Sequence, residues 1–331
     1  MRIKEWDLLR VIACLTILLL HTTTFNNLAR GVTENTETVT FIRVLLCYAT
    51  PTFILLSIMI LAAKYKDGLP SKFWTKRLQF LLLPYLFWAI LDATLTELKY
   101  QYNALFETII NNIFYGGFVG WFVLVILQLY LLFWCIVKFK WHPVIVIPFT
   151  VMIYFLHHQL FSLPDEFFQV NVNVQKLYGS TWLIYFAIAY LIGLNYEKLQ
   201  PLLKKYRIGT IVFTVLAGIY VWINFQQGET DIHSRRMDLV PLVVGITSMV
   251  LAYGQVLPYL KITKLISKYA FMVYLIHWNI LKYLSGYFVE YISSSIIRIP
   301  LMFAFTLSVS ILIAKLISYL PFGKWIVGKI R

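Results

Sequence analysis

The chain has 331 residues, of which 60% are hydrophobic and 13% are charged, with a formal net charge of +14. Soluble globular domains are about half apolar and a quarter charged, so this composition excludes an ordinary water-soluble fold. Apolar runs of 18 or more residues recur along the chain, which predicts an all-α polytopic membrane protein. No stretch has the composition of a soluble domain, so we predict a single transmembrane domain over residues 1–331.

The pattern of apolar runs predicts about ten transmembrane helices. The first run is too long for the core of a signal peptide and no small-residue cleavage site follows it, so we expect it to stay in the protein. The predicted spans cover approximately residues 7–25, 39–63, 73–92, 118–137, 142–160, 179–196, 208–226, 238–256, 268–288 and 296–318.

The distribution of charge gives these spans an orientation. If both termini are cytoplasmic, 21 of the 29 Lys and Arg residues lie on the cytoplasmic side or at cytoplasmic helix ends. Since cytoplasmic loops are enriched in Lys and Arg, this distribution predicts that both termini are cytoplasmic. The basic excess then reflects topology and attraction to the anionic inner leaflet, so the expected partner is the lipid bilayer and not nucleic acid.

The first predicted helix carries two polar residues, Arg10 and His21, with ten residues between them. Eleven residues of α-helix turn about 20° beyond three full turns, so both side chains lie on one stripe, roughly 16 Å apart along the axis. Polar side chains inside a membrane are functional by default. The structural alternative is that Arg10 anchors the helix end and pairs with Asp7, while His21 hydrogen-bonds to a neighbouring helix.

The second and third spans each carry polar residues with two interpretations. Pro51 in "TPTFILLS" can kink its helix, and Ser57 becomes a candidate for substrate contact if that kink lines a path. Lys76 and Arg77 open the third span. Positive-inside anchoring explains these two cations, and they are equally suited to bind the phosphates of an anionic cytosolic donor.

The later spans add weaker candidates. Tyr274 and His277 lie three residues apart on one face of the ninth span, where an interhelical hydrogen bond competes with a functional role. Arg235 and Arg236 lie in the polar loop before the eighth span, where they are candidates for binding an acceptor. The three cysteines fall inside predicted spans without metal-ligand spacing, so no metal site is expected.

The stretch "LLRVIACLTILLLH" resembles the first helix of the membrane acyltransferase 3 family, in which an arginine is followed by ten residues and a histidine. Arg10 and His21 match this spacing, and the family's ten-helix core matches the predicted count. The opening motif is also similar to enterobacterial common antigen O-acetyltransferases. Five further stretches resemble the intercellular adhesion protein C branch, from poly-β-1,6-N-acetylglucosamine biofilm operons: "TPTFILLS", "TKRLQFLLLPYLFW", "GGFVGWFVLVILQLY", "TWLIYFAIAYLIGLNYEKL" and "YLIHWNIL".

This resemblance implies a multi-pass enzyme of the bacterial plasma membrane. It would move an acyl group, acetyl or succinyl, from cytosolic acyl-CoA (acetyl-CoA or succinyl-CoA) to a hydroxyl of an extracytoplasmic or surface polysaccharide. His21 would be the catalytic base or a transient acyl carrier, and Arg10, Arg77 and Lys76 would bind the donor. The candidates for contact with the glycan acceptor are Ser57, Tyr274, His277, Arg235 and Arg236.

The chain departs from the family pattern at one donor-binding position. Many members have a second arginine three residues after the one that matches Arg77, and this chain has Phe80 there. Donor binding by the third helix must therefore depend on Arg77 and Lys76.

Two other functions stay open. The same branch has been described as a polymer exporter, so export of a poly-N-acetylglucosamine-type exopolysaccharide is the alternative. An exporter needs a continuous polar path across the membrane, and the spans contain few charged or amide side chains to line one. The third candidate is a structural or regulatory partner of a membrane glycosyltransferase.

Overall fold

The computed structural model describes residues 3–32, 36–160 and 172–329, and these residues form helices joined by turns and loops, without a strand. The predicted all-α fold is thus confirmed for this part of the chain. A π-helical segment, Leu78–Leu82, and two 3₁₀ segments, Val119–Trp121 and Gly179–Trp182, supplement the α-helices. The α-helices are α1 Lys4–Ala29, α2 Glu37–Leu46, α3 Ala49–Lys64, α4 Phe73–Arg77, α5 Leu83–Tyr100, α6 Leu105–Phe114, α7 Phe122–Lys138, α8 Pro143–Leu160, α9 Val172–Gln175, α10 Leu183–Leu194, α11 Tyr196–Lys205, α12 Arg207–Gln226, α13 Leu239–Gly254, α14 Lys261–Tyr291, α15 Ser295–Ser318 and α16 Gly323–Ile326.

Helices cover all ten predicted spans. The sixth and eighth spans correspond to shorter apolar helices, Gly179–Leu194 and Leu239–Gly254, and the ninth lies within the 31-residue α14. The count of ten crossings and the cytoplasmic placement of both termini stay predictions. Among the described residues, seven helical stretches are long and apolar enough to cross a membrane: Lys4–Ala29, Glu37–Lys64, Phe73–Tyr100, Leu105–Lys138, Pro143–Leu160, Arg207–Gln226 and Ser295–Ser318.

The second predicted span is interrupted before its proline. α2 ends at Leu46 and α3 begins at Ala49, so Pro51 falls in the first turn of α3. Backbone N–H groups in a first turn have no intrahelical partner, so a proline costs little there. The break at Cys47 and Tyr48 therefore replaces the kink expected at Pro51.

The chain forms two compact units, and their boundary falls within α3, between Phe53 and Ile54. The first unit contains the residues up to Phe53 together with Glu197–Tyr319. Among the described residues, the second contains 54–160, 172–196 and 320–329. The single domain over residues 1–331 stays a prediction.

In the first unit, α1 packs against α13, α14 and α15. A close approach of α1 and α13 depends on Gly254, because a Cβ atom built there would lie 2.7 Å from Cβ of Glu5. The apolar core between α1, α14 and α15 fixes the stripe of α1 that carries the candidate residues. Its buried members are Cys14, Leu18, Phe25, Ala270, Val273, Leu281 and Met302.

In the second unit, α10 packs on α8 and α5 packs on α6. The α5–α6 contact is polar: the Asn112 amide donates to Asp92 Oδ2 at 3.0 Å and to the Ala89 carbonyl at 3.0 Å. Gly193 of α10 lies so close to α3 that a Cβ atom there would be 2.6 Å from the Met59 carbonyl oxygen. This close packing holds α10 against the second half of α3.

Candidate functional site

The polar residues at the start of α1 form one hydrogen-bonded network. The Asp7 carboxylate accepts hydrogen bonds at Oδ1 from Arg10 Nη1 (2.8 Å) and Ser267 Oγ (2.6 Å), and at Oδ2 from Tyr259 OH (2.6 Å). Arg10 Nη1 also donates to Ser267 Oγ at 2.8 Å. The Asp7 side chain is 5% exposed and that of Arg10 is 30% exposed. The expected pairing of Arg10 with Asp7 is therefore confirmed, and the guanidinium keeps a solvent-accessible portion.

His21 lies beside two aromatic residues of α14. Its ring centroid is 5.2 Å from that of His277 and 5.2 Å from that of Trp278. The Trp278 ring also packs on Phe25, one turn further along α1, at 4.8 Å. Of the weaker candidates in the ninth span, His277 thus lies next to His21, and the Tyr274 ring is 6.3 Å from that of His277.

His277 has a defined tautomer. Its Nδ1 lies 2.9 Å from the Val273 carbonyl oxygen, and because a carbonyl can only accept, Nδ1 carries the proton. The side chain is buried, with 1% of its surface exposed, and Nε2 has no hydrogen-bond partner within the described residues. In the neutral ring this nitrogen is an unused acceptor in an apolar environment, where such atoms are uncommon.

A narrow cleft with about 180 Å³ of empty space is lined in part by His277, whose ring neighbours His21. A water-sized sphere does not fit inside it. The cleft must therefore widen before a substrate can enter, and it has no room for a sugar chain. Its lining residues, all in the first unit, are Cys14, Ile17, Leu18, Phe53, Val273, Tyr274 and His277.

The three threonines after His21 are bonded within their own helix. Thr22 donates to the Leu18 carbonyl at 2.7 Å, and Thr23 and Thr24 donate to the Leu20 carbonyl at 2.8 and 2.9 Å. Thr24 Oγ1 also accepts a hydrogen bond from Nη2 of Arg43 in α2 at 2.8 Å. An arginine from the neighbouring helix is thus held one turn beyond His21.

In the polar loop before α13, the side chain of Arg236 holds the loop together through hydrogen bonds. It is 5% exposed and forms a fork with Asp238, with Nε to Oδ1 at 3.0 Å and Nη2 to Oδ2 at 2.6 Å. Its Nη1 donates to the carbonyls of Glu229 and Asp231. These bonds give Arg236 a structural role, and its predicted contact with a glycan would have to compete with them.

The neighbouring loop residues His233 and Arg235 are partly exposed. Burial, reinforced by the nearby Arg235 charge, lowers the pKa of His233 below its usual 6.5. His233 is therefore neutral at pH 7. Burial also lowers the pKa of Arg235. The predicted role of Arg235 in acceptor binding stays a prediction.

In the second unit, the guanidinium of Arg77 stacks on aromatic rings. It lies 3.8 Å from the ring centroid of Phe73 and about 6 Å from those of Tyr65 and Tyr130 (5.9 and 5.7 Å). This stacking orients the cation while Lys76 is exposed beside it, an arrangement suited to an anion but also to simple anchoring. Ser57 is partly exposed in α3.

Four residues of this site were missed in the sequence: Arg43, Tyr259, Ser267 and Trp278. Arg43 lies in the apolar stretch "FIRVLLCY", and the signal that drew attention to Arg10, a cation inside a predicted span, applies to it equally. Ser267 and Trp278 carry no such signal, because a serine and a tryptophan are common in membrane helices.

The amino-acid sequence of the whole chain is similar to those of several known membrane proteins. The chain is 30% identical over 352 residues to the provisionally named membrane-bound acyltransferase YfiQ of Bacillus subtilis (strain 168), covering 100% of this chain and 95% of the relative. It is 25% identical over 341 residues to a provisionally named poly-beta-1,6-N-acetyl-D-glucosamine export protein of Staphylococcus aureus (strain MRSA252), covering 97% and 94%. The protein of that name from Staphylococcus epidermidis is 24% identical over 346 residues, covering 97% and 93%.

No solved structure is significantly similar to the chain. A family model described as an acyltransferase domain matches residues 3–315, which includes every helix from α1 to α14 and most of α15. With its many apolar helices, the protein is a multi-pass membrane protein. It belongs to the membrane acyltransferase 3 family.

Proposed function

We propose that this protein is an acyl-CoA-dependent O-acyltransferase that modifies an extracytoplasmic polysaccharide. The donor is cytosolic acetyl-CoA or succinyl-CoA, and the acceptor is a hydroxyl of a surface glycan. The proposal includes ten membrane crossings with both termini in the cytoplasm, which puts Arg10 near the cytoplasmic surface and His21 toward the outside. The names of the staphylococcal relatives favour a poly-N-acetylglucosamine-type acceptor.

The observation that carries the proposal is the pair of histidine rings, His21 and His277, 5.2 Å apart inside a membrane helix bundle. Two imidazoles, one of them lining a cleft, supply ring nitrogens that can accept and return a proton during acyl transfer. Contacts within the first unit hold both rings in place. The Trp278 ring packs against His21, and His277 Nδ1 donates a hydrogen bond to the Val273 carbonyl.

In the proposed reaction, His21 is the general base. It takes the proton from the sugar hydroxyl while the hydroxyl oxygen attacks the thioester carbonyl carbon and forms the new C–O bond. The C–S bond then breaks, the thiolate of CoA leaves with its electron pair, and His21 returns the proton to the sulfur. No other reactant is needed.

Arg10 supports donor binding in this proposal. Its side chain is 30% exposed although Nη1 is bonded to Asp7 and Ser267, so an anion can approach Arg10 from solvent. The spacing of roughly 16 Å along α1 between Arg10 and His21 is comparable with the reach of a pantetheine arm. The cleft of Cys14, Leu18 and Val273 between them has to open for the arm to pass.

Lys76 and Arg77 of the second unit are proposed as additional donor-binding cations. The stacking of Arg77 on Phe73 pre-orients a planar guanidinium for a phosphate. Replacing both with glutamine tests this role separately. A raised KM for acyl-CoA with normal membrane insertion supports it, and an unchanged KM leaves the two cations as topology anchors.

The test of the main proposal is mass spectrometry of the surface glycan under mild conditions that preserve esters. A deletion strain carries the wild-type gene, His21→Ala or the matched control Thr23→Val. Thr23 lies on the same helix, and its hydroxyl donates to the Leu20 carbonyl of that helix. We expect acylated glycan with the wild type and the control and none with His21→Ala. Normal acylation in a correctly inserted His21→Ala protein contradicts the assignment.

The second candidate function is polysaccharide export, which the names of the staphylococcal relatives favour. Deletion separates the two functions, because loss of an enzyme leaves unacylated polymer at the surface, whereas loss of an exporter leaves polymer inside the cell. The membrane spans contain few charged or amide side chains to line a continuous polar path, which is why acyl transfer ranks first. Acylation that persists in the His21→Ala strain would instead suit the third possibility, a partner of a membrane glycosyltransferase.

A further inference from the structure

Arg43 is a cation inside an apolar segment, and within the described residues it has no acidic ion-pair partner. It lies in α2, the first part of the membrane-spanning stretch Glu37–Lys64, and its side chain is partly buried. Nη2 donates to Thr24 Oγ1 at 2.8 Å, whereas Nε is buried without a hydrogen-bond partner in the described residues. No carboxylate of the described chain forms an ion pair with it.

The other arginines buried in the first unit are bonded very differently. Arg236 forks onto Asp238 and donates to two loop carbonyls. Arg298, which is 1% exposed, donates to Asn26 Oδ1 at 2.7 Å, to Ser295 Oγ at 2.7 Å and to the carbonyls of Ile292 and Ser293. Each of these two guanidiniums is used to hold backbone or a carboxylate, and Arg43 is not.

An unpaired cation inside a membrane segment is costly, so it persists where something else requires it. Its position indicates what that is. Thr24 lies three residues after His21, about 4.5 Å further along α1, and its hydroxyl holds the Arg43 guanidinium there. Arg43 therefore brings a positive charge and unused N–H donors to the place where the proposed base accepts its proton.

We propose that Arg43 is a catalytic residue that binds the oxyanion formed during acyl transfer. This inference rests on the proposed function. When the sugar oxygen bonds to the thioester carbon, the carbonyl π electrons move onto the carbonyl oxygen, and the guanidinium donates hydrogen bonds to that negative oxygen. When the C–S bond breaks, the electrons return to restore the carbonyl and the thiolate leaves. Donors fixed in advance at the site of developing charge are among the strongest contributors to catalysis.

Thr24 is the positioning residue for Arg43 in this scheme. Its hydroxyl accepts from Nη2 and is itself fixed by donation to the Leu20 carbonyl, so the guanidinium is held toward α1. Thr24→Val keeps the shape of the side chain and removes this acceptor. It should therefore lower the rate less than a change of Arg43 itself.

The test compares wild type, Arg43→Met, Arg43→Lys, Thr24→Val and Arg298→Met in proteoliposomes. The donors are acetyl-CoA and, separately, succinyl-CoA, and the acceptor is a β-1,6-linked N-acetylglucosamine oligosaccharide. Release of CoA thiol gives kcat and KM, and thermal unfolding gives Tm. We expect Arg43→Met to lower kcat with both donors by about 100- to 1,000-fold with KM for acyl-CoA unchanged, as for loss of one oxyanion donor. Arg43→Lys should keep part of the rate.

The thermal unfolding temperature distinguishes a catalytic role of Arg43 from a purely structural one, because only loss of a structural residue should lower Tm. Removing an unpaired cation should leave Tm unchanged or raise it, whereas Arg298→Met should lower Tm because it leaves Asn26 and the backbone carbonyls without donors. The assignment is overturned if Arg43→Met keeps its kcat or lowers Tm as much as Arg298→Met does. Loss with succinyl-CoA alone also overturns it, since Arg43 would then bind an acyl carboxylate. If the wild type transfers neither acyl group, the proposed function itself fails, a result distinct from loss confined to the Arg43 variants.

Discussion

The two ends of α1 hold their polar groups in opposite ways. At the Asp7 end, one carboxylate accepts three hydrogen bonds, and the cation beside it is paired with that carboxylate. At the His21 end, Arg43 is bonded to Thr24 and has no carboxylate partner in the described chain, and His277 Nε2 has no partner among the described residues either. Both ends belong to the same compact unit and to one helix.

This difference suggests that the polar residues at the Asp7 end contribute to stability and those at the His21 end contribute to the reaction. A satisfied network rigidifies a structure and resists change, whereas unsatisfied donors and acceptors cost folding free energy unless a substrate or transition state uses them. Natural proteins tolerate such local costs at functional sites. The comparison therefore predicts that variants of the Asp7 end mainly change stability and that variants of the His21 end mainly change rate.

The largest effect is expected from His21→Ala. Loss of a general base typically lowers the rate by about 100- to 10,000-fold, while the free energy of unfolding should change little, since His21 is only partly buried. The measurement is initial CoA release in proteoliposomes beside a thermal melt, with Thr23→Val as the control. A His21→Ala protein whose Tm lies far below that of the control would show that His21 contributes to stability, as the residues at the Asp7 end do.

Asp7→Asn should have the opposite profile. It removes the carboxylate charge that pairs with Arg10. Breaking a buried pair costs about 3–5 kcal/mol, and solvent screening at the 30% exposed Arg10 reduces this, so we expect a loss of about 2–3 kcal/mol in the free energy of unfolding. Denaturant titration in detergent measures it.

Ser267→Ala serves as the graded control for that change, since it removes one donor to Asp7 and leaves the charge pair intact. We expect it to cost less than half as much as Asp7→Asn. Equal losses for the two variants would mean that the hydroxyl, and not the charge pair, stabilises this end of α1.

Local features of the fold and site could be predicted from the sequence. Apolar runs of membrane length have to be helical or form closed barrels, so each predicted span became helix in the described residues. Helical geometry alone also puts Asp7 next to Arg10 and leaves Arg10 and His21 on one stripe. These relations depend on neighbours within a few turns of one helix.

Contacts between distant segments could not be predicted. Ser267 and Tyr259 reach Asp7 from 260 and 252 residues away, and nothing in their own surroundings marks them as its partners. His21 and His277 each stood out as polar residues in apolar spans, but their ring contact depends on which helices pack together. A single sequence contains no direct record of that packing.

A smaller effect on stability is expected from Gly254→Ala. A Cβ atom there would meet Cβ of Glu5 at 2.7 Å, so α13 would have to move away from the Asp7 end of α1. Overpacking of this kind costs about 1–3 kcal/mol, and we expect about 1–2 kcal/mol here, with kcat retained. The matched control is Gly218→Ala in α12, where no atom lies within 4 Å and alanine should be neutral or slightly stabilising. Loss of kcat in Gly254→Ala without loss of stability would extend the catalytic region to the Asp7 end.

Arg10→Gln tests whether Arg10 serves stability or donor binding. Both roles are open for this residue because it is paired with Asp7 and is also partly exposed. A role in binding donor phosphates predicts a KM for acetyl-CoA raised about tenfold, which corresponds to about 1.4 kcal/mol, with kcat at saturating donor close to wild type. A purely structural role predicts lower stability with KM unchanged. Asp7→Asn provides a further distinction between these two roles, because it weakens the hydrogen-bonded network of Asp7 but keeps the Arg10 cation. If phosphate binding depends on the charge of Arg10, the KM of Asp7→Asn for acetyl-CoA stays near wild type although the stability of the variant falls. An Arg10→Gln protein with unchanged KM would make the Asp7 end wholly structural and leave donor binding to other cations, with Lys76 and Arg77 the first to test.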